Sequence, residues 1–350
     1  NYDANGENGS LLLEPSRANS QSQSEYLSDT SAWNLGSISI SSNATTSPDG
    51  YTNAAKVVES ATTARHELYG ELLAFSGTSS VSIFAKADGR RYFSAITGGD
   101  PSLGGATFDL QTGTISATSG GTTASITPYG NGWYRCAFTT TRTNSSQVYF
   151  CLRTSGSSPN VETYAGDGTS GILFWGGQTE INSPYPTSYI PTMGTAQTRA
   201  ADSCSVTGAS DVIGQTEGTL YFEGSSDTIG GSTNLINFNF APNSVVINRQ
   251  ANGSIRALIN TSSAIVLNSS SVSGVFKVAI AYKNGDSVLY VNGALADSST
   301  NSFTFATALT EVNLGTGVTY FALPNQSKCN QALVFKERLT NAELATLTTL

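Results

Sequence analysis

Hydrophobic and polar residues alternate with a period of two over short stretches along most of this chain. VSIFAKA (81 to 87) places Val81, Ile83 and Ala85 on one face and Ser82, Phe84 and Lys86 on the other, the pattern of a strand whose faces meet different surroundings. RYFSAI, GTISAT, WYRCAFTT, QVYFCLRT and ILFWGGQTEI also read as strands. Gly, Asn and Ser separate these stretches, and Asp88-Gly89 and Asn131-Gly132 mark tight turns. The pattern breaks near 190 to 205, where SPYPTSYIPTMGTAQTRAADS carries three prolines. Proline removes a ladder donor, so this piece is expected to be a sheet-edge tail followed by a linker. Strand signals then restart with GTLYFEGS, LINFNF, SVVINRQ, SIRALIN and AIVLN. KNGDSVLYVNGALA reads as two hairpin corners flanking one strand. Near the end, Thr340 and Glu343 form a capping box at the start of a short helix.

The expected fold class is all-β, with two tandem jelly-roll β-sandwich domains. Composition agrees: Lys and Glu are scarce, Gly numbers 35, and 15 Tyr and 15 Phe are too many for a disordered chain. A length of 350 residues suits two domains. A net charge of -8 without a basic cluster argues against nucleic-acid binding. No apolar run is long enough to span a membrane, so no membrane insertion is expected. A single histidine removes most multi-histidine metal sites. Four cysteines, at 136, 151, 204 and 329, are too few for a disulfide scaffold. Cys136 and Cys151 could lie on neighbouring strands, and Cys204 and Cys329 could link the first and last strands of a second domain, but buried free thiols are the expected state of most.

Several strings carry a family resemblance. LLLEPSRAN, Trp33, ATTSPDGYTNAAKVVES, VSIFAKADGRRY, FDLQTGTI, GNGWYRCAFT, TYAGDGTSGILFWGGQTE and SYIPTMGTAQTRAADS occur in this order over roughly residues 8 to 203. Together they resemble a module of bacteriophage tail and appendage proteins whose relatives are carbohydrate-binding-module-like β-sandwiches. GTLYFEGS, LYVNGALA and QALVFKERLTNAELATL resemble, less specifically, a concanavalin-A or laminin-G-like jelly roll. The resemblance implies an N-terminal connection over 1–9, a carbohydrate-binding-module-like domain over 10–198 and a lectin-like domain over 199–350. It also implies a virion component on the virion surface, extracellular, whose partners are glycans on a bacterial surface and other virion proteins. A homo-oligomer, with a trimer as the form common to fibres, is the associated expectation. The start at Asn1 suggests the distal part of a longer appendage.

Candidate residues divide by chemistry. Trp33, Trp133 and Trp175 could stack on sugar rings or pack in a core; core packing is expected for Trp133 and Trp175, while Trp33 stays open. Arg90, Arg91 and Tyr92 follow the Asp-Gly turn, where they could hold a carboxylated sugar through bidentate bonds or simply be a solvated hairpin end. Asp100 and Asp109 lie near turns and could serve the same surface. His66 and Glu67 are adjacent, so on a strand they point to opposite faces and make a poor acid-base dyad. Asp49, Asp167 and Glu14 could supply oxygens to a structural calcium, the one cofactor considered. A glycosidase needs two carboxylates flanking the bond, and Glu180 and Glu223 fall in different modules. No G-x-S-x-G, H-E-x-x-H or Walker loop occurs. The expected function is therefore a non-catalytic phage tail-fibre or capsid-surface fibre that adheres to host or environmental glycans. The alternatives are a purely structural capsid decoration protein, a polysaccharide depolymerase and a secreted bacterial adhesin.

Overall fold

The computed structural model describes residues 9–99, 104–159, 162–226, 231–315 and 327–350. The chain divides into two compact units, Arg17–Arg199 and a unit formed by Asn1–Ser16 with Ala200–Leu350.

The Arg17–Arg199 unit contains two six-stranded antiparallel sheets. One has the order Thr114–Ser119, Gly105–Asp109, Tyr92–Thr97, Val148–Arg153, Glu67–Gly70, Trp33–Gly36; the other has Thr123–Pro128, Tyr134–Arg142, Gly77–Asp88, Gly171–Glu180, Thr52–Glu59, Ile38–Thr46. The alternation of VSIFAKA is realised as written. Val81, Ile83 and Ala85 enter a core shared with Phe93, Phe108 and Phe150 of the facing sheet, so the two inner faces close a sandwich. Phe84, on the opposite face, joins Trp133, Leu173, Trp175 and Tyr189 in a second apolar cluster. That cluster explains why residues 172–175 of the Gly171–Glu180 strand are all apolar: Ile172 and Phe174 serve the main core, Leu173 and Trp175 the outer cluster. A bulge between Trp175 and Gln178 interrupts this strand, and Gly176 supplies its left-handed residue at φ 66°.

The proline-rich stretch is packed rather than a loose linker. Ser183, Thr187, Ile190 and Thr192 are all buried, and Gln197–Arg199 pairs antiparallel with Arg17–Asn19.

The other unit also has two six-stranded sheets. One runs Leu11–Leu13, Ser327–Phe335, Glu217–Ser226, Phe276–Lys283, Ser287–Val291, Ala294–Ser299; the second runs Cys204–Thr207, Glu311–Leu314, Thr233–Phe238, Ser244–Arg249, Ser254–Asn260, Ile265–Ser271. Their core joins Leu220, Phe222, Val278 and Ile280 to Phe238, Val245, Ile247 and Ile259. The hairpin corners expected around Ser287–Val291 form, with Asn292 at φ 49° and Gly293 at φ 83°. The expected capping box opens the helix Asn341–Thr348, whose Leu344 packs with Tyr221, Ala281 and Tyr290 on the outer side of the first sheet.

One placement differs from the sequence expectation. Leu11–Leu13, expected to open the first domain, pairs with Ser327, Lys328 and Cys329 in the second. The physical reason is an edge: the strand Ser327–Phe335 would otherwise expose unpaired backbone groups along its outer side there. All four cysteines are free. Cys136 and Cys151 stand on strands of different sheets, as do Cys204 and Cys329.

Candidate functional site

The Arg90-Arg91-Tyr92 corner leads from Gly77–Asp88 in one sheet of the Arg17–Arg199 unit to Tyr92–Thr97 in the other. Gly89 makes the turn at φ 95°. Both guanidinium forks are already engaged. Arg90 Nε donates to Glu59 Oε2 at 2.6 Å while Nη2 donates to Oε1, and Asp167 approaches the same guanidinium at 3.7 Å. Arg90 also lies over the Tyr164 ring, 5.3 Å from its centroid. Arg91 grips Asp109 through two bonds, Nε to Oδ1 at 2.8 Å and Nη2 to Oδ2, and covers Tyr92 at 4.9 Å. The corner is an internally neutralised cluster, and a sugar carboxylate would have to displace Glu59 or Asp109 to reach either fork. Asp100 lies outside the described residues.

This cluster sets a pH dependence. Burial pushes the Glu59 carboxyl up, but hydrogen bonds from Arg90, Tyr164 and the Asp167 amide, with the Arg90 charge, outweigh it and leave the pKa below the usual carboxylate value. The Arg91 fork, against a smaller burial effect, holds Asp109 well below that value. Folded-state carboxyl pKa values that are depressed give stability that is complete above the ordinary carboxylate pKa, about 4, and lost as pH falls through the lower folded value. Burial raises Glu25 and Glu67 instead, and these work in the opposite sense. The informative quantity is therefore a difference. The melting temperature of the wild type is expected to fall more steeply below about pH 4 than that of Glu59→Gln; parallel curves would mean that the pair contributes nothing.

The tryptophans are framework. Trp33 is 2% exposed, donates its Nε1–H to Gln23 O at 2.8 Å and packs against Phe150, so it offers no face to a sugar. This corrects its candidacy as a stacking residue, for a plain reason: its strand is the sheet edge on which Trp33 points inward. Trp133 and Trp175 are equally buried. His66 is 1% exposed, with Nδ1 2.8 Å from Ser37 O and Nε2 3.3 Å from Tyr164 O; it holds backbone and faces no substrate space.

The calcium set does not assemble. Glu14 belongs to the unit containing Leu350, whereas Asp49 and Asp167 belong to Arg17–Arg199. Both aspartates are turned into their own loops. Asp49 accepts from Ser47 Oγ and the Tyr51 amide, and Asp167 accepts from the amides and hydroxyls of Thr169 and Ser170. Among the described residues, no three His, Cys, Asp or Glu side chains group closely enough to hold a metal. Glu180 and Glu223 lie in different units; Glu180 is 1% exposed and Glu223 accepts from Tyr221 Oη at 3.1 Å.

The site that sequence reasoning missed lies in the second unit, on the sheet containing Thr233–Phe238, Ser244–Arg249 and Ser254–Asn260. In these strands Ile236, Phe238, Val245, Ile247, Ile255, Ala257 and Ile259 enter the core. The alternate residues therefore share the opposite face. On that face a groove of about 420 Å³ runs over Val246 and Leu258, with Asn237, Asn260 and Arg256 around it and Phe240-Ala241-Pro242 as one wall. The wall is anchored by Asn239, whose Oδ1 accepts from the Thr310 and Glu311 amides at 2.8 and 2.9 Å and whose Nδ2 donates to Ala308 O at 3.0 Å.

Register builds two polar rows across this face. Asn313 lies opposite Asn237, and Asn234, Asn248, Arg256 and Asn268 follow one another across four strands. Asn237, Asn248 and Asn313 are 1%, 0% and 1% exposed, although they point away from the core. Each keeps one amide atom without a hydrogen-bond partner among the described residues: Oδ1 of Asn237, Nδ2 of Asn248 and Nδ2 of Asn313. Buried amides of this kind cost about 1–3 kcal/mol each when unpaired. Of the three, Asn237 lines the groove, where a ligand hydroxyl, both donor and acceptor, is the kind of group that satisfies an amide oxygen.

No protein-family model matches the chain, and no curated protein matches it. Solved structures with some similarity include the CBM40 module of a Ruminococcus gnavus IT-sialidase, at 17% identity and TM-score 0.35, over 40% of this chain and 86% of that one. A leech intramolecular trans-sialidase has 18% identity and TM-score 0.36 over 42% and 26% of the two chains. The binding domain of botulinum neurotoxin DC has 14% identity and TM-score 0.35 over 42% and 39%. At this level of superposition they carry no argument about function, which rests on the residues of the chain itself.

Proposed function

We propose that this protein is a non-catalytic glycan-binding component of a phage tail or capsid-surface appendage, exposed on the virion, and that the sheet-face groove of the second unit holds the saccharide. The observation that carries the reading is the groove itself: an apolar strip of Val246 and Leu258 bordered by Asn237, whose buried Oδ1 has no partner among the described residues. An apolar strip suits the C–H face of a sugar ring, and a few placed polar groups fix its hydroxyls. A volume near 420 Å³ falls within the ~300–1,000 Å³ common to small-molecule sites. The resemblance of residues 8 to 203 to phage tail modules supports the virion context and adhesion to bacterial surfaces.

The test uses the full chain on an array of bacterial polysaccharides. Leu258→Trp fills the groove from a half-buried position that leaves the core untouched. It is expected to weaken every positive interaction at least ~10-fold, about 1.4 kcal/mol, with an unchanged melting temperature. Binding that survives the substitution would move the site elsewhere, and a wild-type chain that binds no polysaccharide would remove the reading. Release of reducing ends from any bound polysaccharide would replace adhesion with depolymerisation.

A further inference from the structure

We propose that Cys204 and Cys329 form a thiol–disulfide exchange site, which small-molecule disulfides oxidise to a bridge between the two sheets of the groove-bearing unit. This is independent of the glycan reading. The two cysteines sit on facing sheets, near the same edge of the sandwich. Cys204 opens Cys204–Thr207, the outermost strand of its sheet; Cys329 lies in Ser327–Phe335, one strand in from the edge strand Leu11–Leu13. The chain itself brings these edges together. Two hydrogen bonds join Glu14, directly after Leu13, to Asp202, two residues before Cys204. The opposite edges also meet: the Asn268 amide of Ile265–Ser271 donates to Asp297 Oδ2 of Ala294–Ser299 at 3.0 Å.

Both side chains are directed between the sheets. Cys329 is 7% exposed and belongs to the core of the unit. Cys204 lies opposite Leu314 in the ladder. Directly opposed residues share a face of the sheet, and Leu314 packs against the same core as Cys329. The sulfurs are close enough to interact: burial first, and then charge on Cys204 and Glu223, push the Cys329 thiol up to about 11. The other two cysteines show no such coupling. Burial alone raises Cys136, and the charges acting on Cys151 are those of Glu67, Arg153 and Arg65.

The structure holds the pair reduced. A bridge needs the two Cα atoms within about 7 Å, and the Cys204 strand is built to adjust. It is four residues long, paired on one side only, and exposed at Ser205, Val206 and Thr207. Cys204, the more exposed thiol, is the entry point. Its thiolate attacks one sulfur of a glutathione-type disulfide, forming a mixed disulfide and expelling one small thiolate. The Cys329 thiolate then attacks the Cys204 sulfur and expels the second. Two electrons pass to the small disulfide, and the two cysteine protons end on the two small thiols. The bridge closes a loop of roughly 125 residues between 204 and 329, and cross-linking a long loop removes much freedom from the unfolded chain. It fastens the strand with which this unit resumes after the Arg17–Arg199 insertion.

The test incubates the dilute, folded full chain with oxidised glutathione, blocks remaining thiols with iodoacetamide under denaturing conditions, and digests without reduction. Mass spectrometry is expected to find one peptide pair joined through Cys204 and Cys329, with Cys136 and Cys151 alkylated. Oxidation is expected to raise the melting temperature of this unit by ~5 °C or more, and dithiothreitol to reverse the rise. Cys329→Ser is expected to retain glutathione on Cys204 as a lasting mixed disulfide, and Cys204→Ser to leave Cys329 a thiol. Peptide mapping of the wild type needs no substitution, so it decides even if a variant misfolds. Four alkylated cysteines, a bridge between any other pair, or glutathione that stays on wild-type Cys204 would each overturn the site. A Cys204–Cys329 bridge that leaves the melting temperature unchanged would support the exchange chemistry and overturn its role as a fastening.

Discussion

Replacing Trp33 with alanine is expected to lower the stability of the Arg17–Arg199 unit by about 3–5 kcal/mol, the range for truncating a large buried aromatic. The indole is 2% exposed, its Nε1–H is donated to Gln23 O, and it packs against Phe150 across the sheet. The fit is close on a third side as well: a methyl group placed on Gly177 would come within 3.2 Å of the ring. Alanine would leave a cavity, and the Gln23 carbonyl would lose a donor. The effect is read by hydrogen-exchange mass spectrometry of the strands Glu67–Gly70 and Val148–Arg153 in increasing urea, which follows this unit separately from the other. Glycan affinity of the folded protein is expected to stay within a factor of ~2, well under 1 kcal/mol. An unchanged urea midpoint together with lost binding would return Trp33 to a sugar-stacking role.

Glu180→Ala is expected to destabilise the same unit by roughly 3–5 kcal/mol. The carboxylate is 1% exposed and accepts four hydrogen bonds: from Ser80 Oγ at 3.2 Å, from Gln178 Nε2 and the Thr187 amide at 2.9 Å each, and from Thr187 Oγ1. Alanine strands the Thr187 amide and hydroxyl in a buried setting, and each orphaned donor costs about 1–3 kcal/mol. These bonds fasten the proline-rich stretch to the central strand Gly171–Glu180, so the amide of Thr187 is expected to lose its exchange protection first. Glu180→Gln preserves the shape and one acceptor oxygen and is expected to cost less than half as much. A Glu180→Ala protein within ~1 kcal/mol of wild type would show that the stretch is held by Tyr189 and Ile190 packing instead.

Much of the framework was legible because it is local. Alternation in VSIFAKA correctly separated the core residues Val81, Ile83 and Ala85 from Phe84, and Asn-Gly pairs placed the hairpin corners, since both follow from short-range geometry. The sites were not legible in the same way. Arg90 meets Glu59 and Arg91 meets Asp109 only because strands distant in the chain converge at one corner, and nothing in the Arg-Arg-Tyr string announces that its charges are already matched. The groove was harder still. In LINFNF, SVVINRQ and SIRALIN the asparagines and Arg256 read as the wet side of a strand. Only the cross-strand register, which stacks Asn237 on Asn313 and Asn248 on Arg256, makes a row of them. Their burial arises only in the folded arrangement, and no pattern along one strand encodes it. The one available signal was compositional: asparagine, a poor strand former, recurring at outward positions of adjacent strands.

The pairing of Leu11–Leu13 with Ser327–Cys329 has a consequence for how the gene can change. Two hydrogen bonds join Glu14 and Asp202, Glu14 N–H donating to the Asp202 side-chain Oδ2 and Asp202 N–H to Glu14 O, and Arg17 lies opposite Arg199. The chain thus enters and leaves the Arg17–Arg199 unit at neighbouring points. That unit is a cassette inserted in a host domain whose first strand is synthesised before the cassette and whose partner strand is synthesised after it. At ~5–20 residues per second the early leucines wait tens of seconds for their sheet, while the cassette can complete its own pairing. Recombination that exchanges everything between Ser16 and Ala200 would trade one head for another and leave the groove-bearing host, with its closing helix, intact.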